Sequence, residues 1–300
     1  MNRRVVEQVA LADLADVPAR SRWVRSGALR LHVLDYARTD DDVRTPLLVV
    51  PGITTPAIGM DFVARELTDL VRPVVLDVRG RGLSDSADSY TLSDYADDVL
   101  AVVTGLQLHL PLLLGHSMGA RIAGLAAVRA AGQRIPLTGS VLVDPPLSGP
   151  GRSPYPTTLA AFMGQLDAAV RGTTADEVAQ SWPRWPRREQ ELRARWLSSC
   201  APEAIEATHR GFESEDFFDF WAQVPASTVF VWGEDSPVVT AAGAGEARAA
   251  HPEAGFASIP GAGHMVFWDN VPGALAVTRE VLVDLSSQDR VPVGGGPAAG

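Results

Sequence analysis

Short, almost wholly apolar runs alternate along this chain with segments whose apolar residues recur at helical spacing. The runs are Pro46-Leu-Leu-Val-Val50, Val74–Val78, Leu110–Leu114, Val141-Leu-Val143, Thr228–Trp232 and Gly255–Ile259. Each is too short for a buried helix and has no polar face to offer to water, so it suits a strand inside a sheet that is covered on both sides. Helical spacing fills the intervals: Asp61–Leu70, Ala120–Ala131, Pro237–His251 and Pro272 to about Ser286. Thr91-Leu-Ser-Asp94 reads as a capping box, followed by apolar Tyr95, Val99, Val102, Val103 and Leu106. A hairpin, Ser21–Val24 and Leu29–Tyr36 joined by Ser26-Gly27, precedes the alternation. Repeated strand and helix predict an α/β chain with a mostly parallel central sheet and helices on both faces.

The alternation breaks at Leu147. From Ser148 to Asp219 no apolar strand occurs, and turns and arginine-rich helical stretches carry Phe162, Trp182, Trp185 and Trp196. We read residues 148–219 as a helical cap inserted over the sheet. The core is then split into residues 1–147 and 220–288, and the Gly/Pro/Ala-rich residues 289–300 read as a flexible tail.

Composition narrows the chemistry. With 300 residues, 46% hydrophobic and 21% charged, the chain can bury a sizeable core and is neither disordered nor collagen-like. All 26 basic residues are arginine, which closes Schiff-base and lysine-nucleophile routes. A net charge of -10 argues against nucleic acid or an anionic membrane as partner, and leaves a small-molecule substrate, with a homodimer as an option. Cys200 is the one cysteine, so no internal disulfide or multi-cysteine metal site can form. Gly80-Arg-Gly82 lacks the longer glycine pattern and the lysine of a phosphate loop, so no cofactor is expected. Glu7, Asp13 and Asp16 interrupt any apolar leader near the start, and a cytoplasmic protein is the expectation.

The chemistry concentrates in Gly115-His-Ser117-Met-Gly119, set between the apolar strand and a helix rich in small residues. A sharp strand-to-helix turn lifts a serine hydroxyl clear of the sheet, and the helix N-terminus beyond it can face a developing oxyanion. The bland alternative is an ordinary tight turn. A serine needs a base, and six histidines are candidates. His32 lies in a strand, His109 in a turn, His116 inside the elbow, His209 in the insertion and His251 at a helix end. Only His264, in Pro260-Gly-Ala-Gly-His264, follows the final strand, where a loop at the carboxyl edge of the sheet can reach Ser117.

With these motifs the chain resembles the α/β-hydrolase family from Arg22 to about Ser286. The likeness rests on the elbow, on Asp77-Val-Arg-Gly-Arg-Gly-Leu-Ser-Asp85 and on Gly261-Ala-Gly-His264. It implies the α/β-hydrolase fold and a Ser-Asp-His triad working through an acyl-enzyme. It also implies an oxyanion hole formed by the backbone N–H groups of Ile53 and Met118, although Pro51-Gly52 stands where the family has His-Gly. Two positions compete for the acid. One is Asp235, in Gly233-Glu-Asp-Ser-Pro237, with Ser236 where the family's aspartate aligns. Either residue also makes sense as the cap of a helix starting at Pro237. The other is Asp144, at the end of the preceding strand, and it is favoured. The stretch Leu142–Pro156, with Arg210-Gly-Phe212 and Gly263-His264-Met265, is similar to that of family members that deformylate a small amide, which again implies Asp144.

Arg152 and Tyr155 are candidates for binding such a substrate through a carboxylate, as are Trp182 and Trp185 beside Arg184, Arg187 and Arg188. The competing account of the second cluster is a solvated face of the cap. Reaction classes left open are a small amide or N-formyl amide hydrolase, a carboxylesterase, a C–C hydrolase of 1,5-diketone type, another cofactor-free reaction on the same fold, and a non-catalytic ligand receptor.

Overall fold

Eight strands form a single sheet in the computed structural model, which describes residues 5–6, 8–39 and 41–288. They are β1 (Arg20–Ser26), β2 (Leu29–Asp35), β3 (Pro46–Val50), β4 (Arg72–Leu76), β5 (Leu112–His116), β6 (Gly139–Val143), β7 (Thr228–Gly233) and β8 (Gly255–Ile259). Their order is β1-β2-β4-β3-β5-β6-β7-β8. β1 and β2 pair antiparallel, β2 meets β4 antiparallel, and every other neighbouring pair is parallel. The tail expected at 289–300 lies outside the described residues.

Burial follows position in the sheet. All five residues of β3, β5 and β6 are buried, whereas β1 at the edge buries only Val24. Because side chains alternate along a strand, β3 feeds two cores at once. Leu48 and Val50 pack with Val99 and Val103 of the helix Leu92–Gly105 and with Ile122 and Ala126 of the helix Met118–Gln133. Leu47 and Val49 pack on the other face with Val63 of the helix Asp61–Glu66 and with Leu282 and Leu285 of the helix Val271–Gln288. Each fully buried Val or Leu contributes about 1.5–3 kcal/mol. The capping box at Thr91 and Asp94 is formed in both directions.

Three local expectations shift. The helix from Asp61 ends at Glu66, because Leu67–Leu70 closes in turns that feed β4. The elbow strand starts at Leu112 and runs to His116 after the positive-φ Leu110 and Pro111. The helix expected at Pro237 begins at Ala241, capped by the Thr240 hydroxyl on the Gly243 N–H. Ser236 accepts from Val238 N and Val239 N and so holds residues 236–239 as a turn.

Between β6 and β7 the chain forms the helices Leu159–Gly172, Ala175–Ser181, Arg187–Trp196 and Pro202–Ser214. Arg81 ties this stretch to the sheet. Its buried guanidinium donates to the Ile53 carbonyl, the Tyr95 hydroxyl, the Thr208 hydroxyl and the Ala204 carbonyl. The turn carrying Arg81 folds around Asp77, whose carboxylate accepts from Ala57 N and Leu83 N and pairs with His32. Gly82 sits there at φ 53, and a Cβ would collide with the Asp77 carboxylate. No helix among the described residues is long and apolar enough to cross a membrane, and these residues contain no cluster of three or more His, Cys, Asp or Glu side chains placed to hold a metal ion.

Candidate active site

Ser117 occupies the turn between β5 and the helix Met118–Gln133 at φ 56 and ψ -122, a positive-φ conformation that costs a non-glycine residue about 1–3 kcal/mol. The two glycines of the motif allow the turn to pack that tightly. A Cβ on Gly115 would strike the Gly119 carbonyl, and one on Gly119 would strike the Val50 carbonyl. The Ser117 N–H donates to Val143 O at 2.8 Å, which anchors the elbow to β6. Only 2% of Ser117 is exposed.

The loop after β8 brings His264 to this serine, with Nε2 2.9 Å from Ser117 Oγ. His264 Nδ1 lies 2.6 Å from Asp144 Oδ2. A carboxylate can only accept, so Nδ1 carries the proton and Nε2 presents its lone pair to the serine. Asp144 follows β6 at φ 51 and is completely buried. Its Oδ1 accepts from Gly233 N at 3.1 Å, and its Oδ2 also accepts from Ser236 Oγ at 2.6 Å. Asp235, by contrast, is exposed, and its backbone N–H donates to Ala262 O. Ser236, where the family's aspartate aligns, therefore steadies Asp144 instead of capping a helix.

His116 buttresses the loop from below. Its Nε2 donates to the His264 carbonyl at 2.9 Å, and burial pulls its imidazole down to about 3, so it stays neutral. Ile53 and Gly52 line the same cavity as Ser117 and His264. The N–H groups of Ile53 and Met118 donate to no other group among the described residues. Met118 is the first residue of its helix, where an N–H has no intrahelical partner.

Tyr155 reaches into the site, with Oη 3.1 Å from His264 Nε2, and burial pushes its phenol well above the usual value. The ring packs against Phe162 and Phe212. Trp182 and Trp185 line the cavity and stack on each other at 4.9 Å, and Trp185 stacks on Trp268 at 5.1 Å. An imidazole held this way can take the serine proton, while the aromatic walls keep water away.

Arg152 is not part of this group. The turn closed by Arg152 N on Gly149 O carries it outward, where it pairs with Asp216 at 3.2 Å and Glu246 at 2.7 Å and lies over Phe218. It lines a separate hollow. Replacing it (Arg152→Met) is expected to leave kcat/KM for a carboxylate-bearing amide within about threefold. Its half-exposed ion pairs contribute about 0–1 kcal/mol to stability. A steady-state comparison of the variant with the parent protein checks this.

Sequence reasoning missed Arg193. It lines the cavity with Ser117, and its Nη1 donates to Thr54 O and Thr54 Oγ1, each at 2.8 Å. Its Nη2 donates to Gln165 Oε1 at 3.0 Å, and burial lowers its guanidinium to about 10. A signal existed: Glu189, Leu192 and Trp196 form the buried stripe of the helix Arg187–Trp196, and Arg193 falls on it.

Known proteins share this architecture. The model of the alpha/beta hydrolase family matches residues 47–277. An N-formylmaleamate deformylase of Pseudomonas putida is 36% identical over 262 residues, covering 86% of this chain and 95% of the relative. A 2-(acetamidomethylene)succinate hydrolase of Mesorhizobium japonicum is 30% identical over 278 residues, covering 85% of this chain and 92% of that protein. The crystal structure of an N-formylmaleamic acid deformylase from Pseudomonas putida S16 superposes with a TM-score of 0.80 at 35% identity, covering 86% of this chain and all of that one. The chain belongs to the alpha/beta hydrolase family and is a hydrolase.

Proposed function

We propose that this hydrolase cleaves a small amide through a Ser117 acyl-enzyme, and that the amide is an N-formyl compound bearing a carboxylate. The observation that carries the first part is the continuous contact Asp144–His264–Ser117, at 2.6 and 2.9 Å. Ser117 Oγ attacks the carbonyl carbon while His264 Nε2 takes its proton. The oxyanion is met by the Ile53 and Met118 N–H groups. The imidazolium, balanced by Asp144, returns the proton to the leaving nitrogen, and the C–N bond breaks. Water then gives its proton to His264, attacks the acyl carbon and releases the acid, restoring Ser117.

Two observations support the substrate class. The relatives at 36% and 30% identity are named for amides built on a carboxylate skeleton, N-formylmaleamate and 2-(acetamidomethylene)succinate. The cavity at Ser117 is walled by Phe162, Trp182 and Trp185 and carries Arg193, a lining that suits a compact molecule with a planar body and an anionic end. Incubation with N-formylmaleamate, followed by formate assay, is expected to show formate released in step with substrate loss. Good turnover of short esters or of a vinylogous 1,5-diketone with no formate would instead make the chain a carboxylesterase or C–C hydrolase. Binding without turnover of any of these would place the substrate of this hydrolase outside the three classes.

A further inference from the structure

We infer that Arg193 is the seat of the substrate's carboxylate. This deepens the reading above and rests on the Ser117 cavity being where substrate is held. The arginines between Trp182 and Trp196 differ in their company. Arg184, Arg187, Arg188 and Arg195 each stand beside a carboxylate: Asp269, Asp176, Asp61 and Asp13. Among the described residues no carboxylate pairs with Arg193, whose three bonds go to the neutral oxygens of Thr54 and Gln165. A guanidinium has five N–H donors, so two of them, Nε–H included, are left for a ligand.

Arg193 is half-buried and its bonded partners are neutral, so an anion brought into the cavity beside it would supply the charge these contacts lack. The guanidinium faces the cavity that holds Ser117 and His264, in a protein whose net charge is -10. Trp182 and Trp185 border the same space, and excluding water strengthens a charge-assisted contact. The seat is also mechanically linked to the chemistry, because Thr54, held by Arg193, follows Ile53 directly. An anion on Arg193 would steady the loop that presents the Ile53 N–H. A formyl group carries no acid, so the carboxylate belongs to the leaving side of the amide.

The test measures binding without turnover. Full-length Ser117→Ala protein is titrated calorimetrically with maleate and with neutral dimethyl maleate, with Arg193 intact, as Arg193→Gln and as Arg193→Lys. Maleate affinity is expected to fall about 30- to 1000-fold in Arg193→Gln. Arg193→Lys should keep part of it, and dimethyl maleate should change less than threefold in all three. Equal weakening of both probes would overturn the proposal and make Arg193 a strut for Thr54. Maleate binding that is absent, or indifferent to Arg193, would overturn it too. The two readings fail separately. Arg193-dependent maleate binding in a protein that releases no formate keeps the seat and loses the deformylase, and Arg193-independent formate release does the reverse.

Discussion

Replacing Ser117 with alanine is expected to lower kcat by on the order of 10⁶, with KM almost unchanged. In the proposed mechanism the hydroxyl forms the covalent bond, and without it the Ile53 and Met118 N–H groups would only stabilise whatever attack water makes. His264→Ala should cost nearly as much, since the serine proton then loses the imidazole that accepts it, and the Tyr155 phenol, pushed well above its usual value by burial, is no base. The double variant should be scarcely worse than either single one, because the two residues act as a unit. Single-turnover and steady-state formate assays on the three variants check this pattern. Additive losses would separate the serine from the histidine.

The second large effect belongs to Asp144. Asp144→Asn is expected to lower kcat roughly 10⁴-fold. The structure explains why an isosteric change should be so harmful. Gly233 N–H donates to Oδ1, whereas His264 and Ser236 both donate to Oδ2. An asparagine that keeps its oxygen toward His264 turns its NH₂ against the Gly233 N–H. The opposite orientation satisfies Gly233 and lets Ser236 accept, but it forces His264 Nδ1 to become an acceptor. Nε2 then carries the proton and cannot take one from Ser117. Asp235→Asn, at an exposed site whose neighbouring helix is capped by Thr240, should change kcat less than twofold and stability by about 0.5 kcal/mol or less. The reverse ranking of the two variants would move the acid to Asp235.

Geometry explains why the sequence left two aspartates as candidates for the acid. β6 and β7 are paired neighbours, so the residues following each reach the same edge of the sheet, and spacing does not choose between them. Backbone direction decides which of them contacts His264: Asp144 at φ 51 turns its carboxylate inward under the Gly233 N–H, while the Asp235 N–H is taken by Ala262 O. What was legible was local. Apolar runs mark buried parallel strands, the two glycines of the elbow mark backbone packed too tightly for a Cβ, and a histidine after the last strand has one place to go.

What was not legible depends on contacts between distant segments. Proximity in sequence made Arg152 attractive, but one turn at Gly149 carries it to Asp216 and Glu246 on the outside. Arg193 was hidden in a run of arginines whose other members face acids. Only its place on the stripe with Leu192 and Trp196 separates it from them. Ser236 was misassigned for a similar reason, because a serine before a proline looks like a cap until the hydroxyl is seen on Asp144.

Active-site labelling tests the central claim, that Ser117 is the activated nucleophile. The full-length protein is treated with a fluorophosphonate, digested and mapped by mass spectrometry, with residual activity followed in parallel. The account predicts one adduct, on Ser117, forming at the rate at which activity is lost. It further predicts no adduct in Ser117→Ala and a greatly slowed one in His264→Ala. An adduct elsewhere, or full turnover by protein labelled at Ser117, would contradict it.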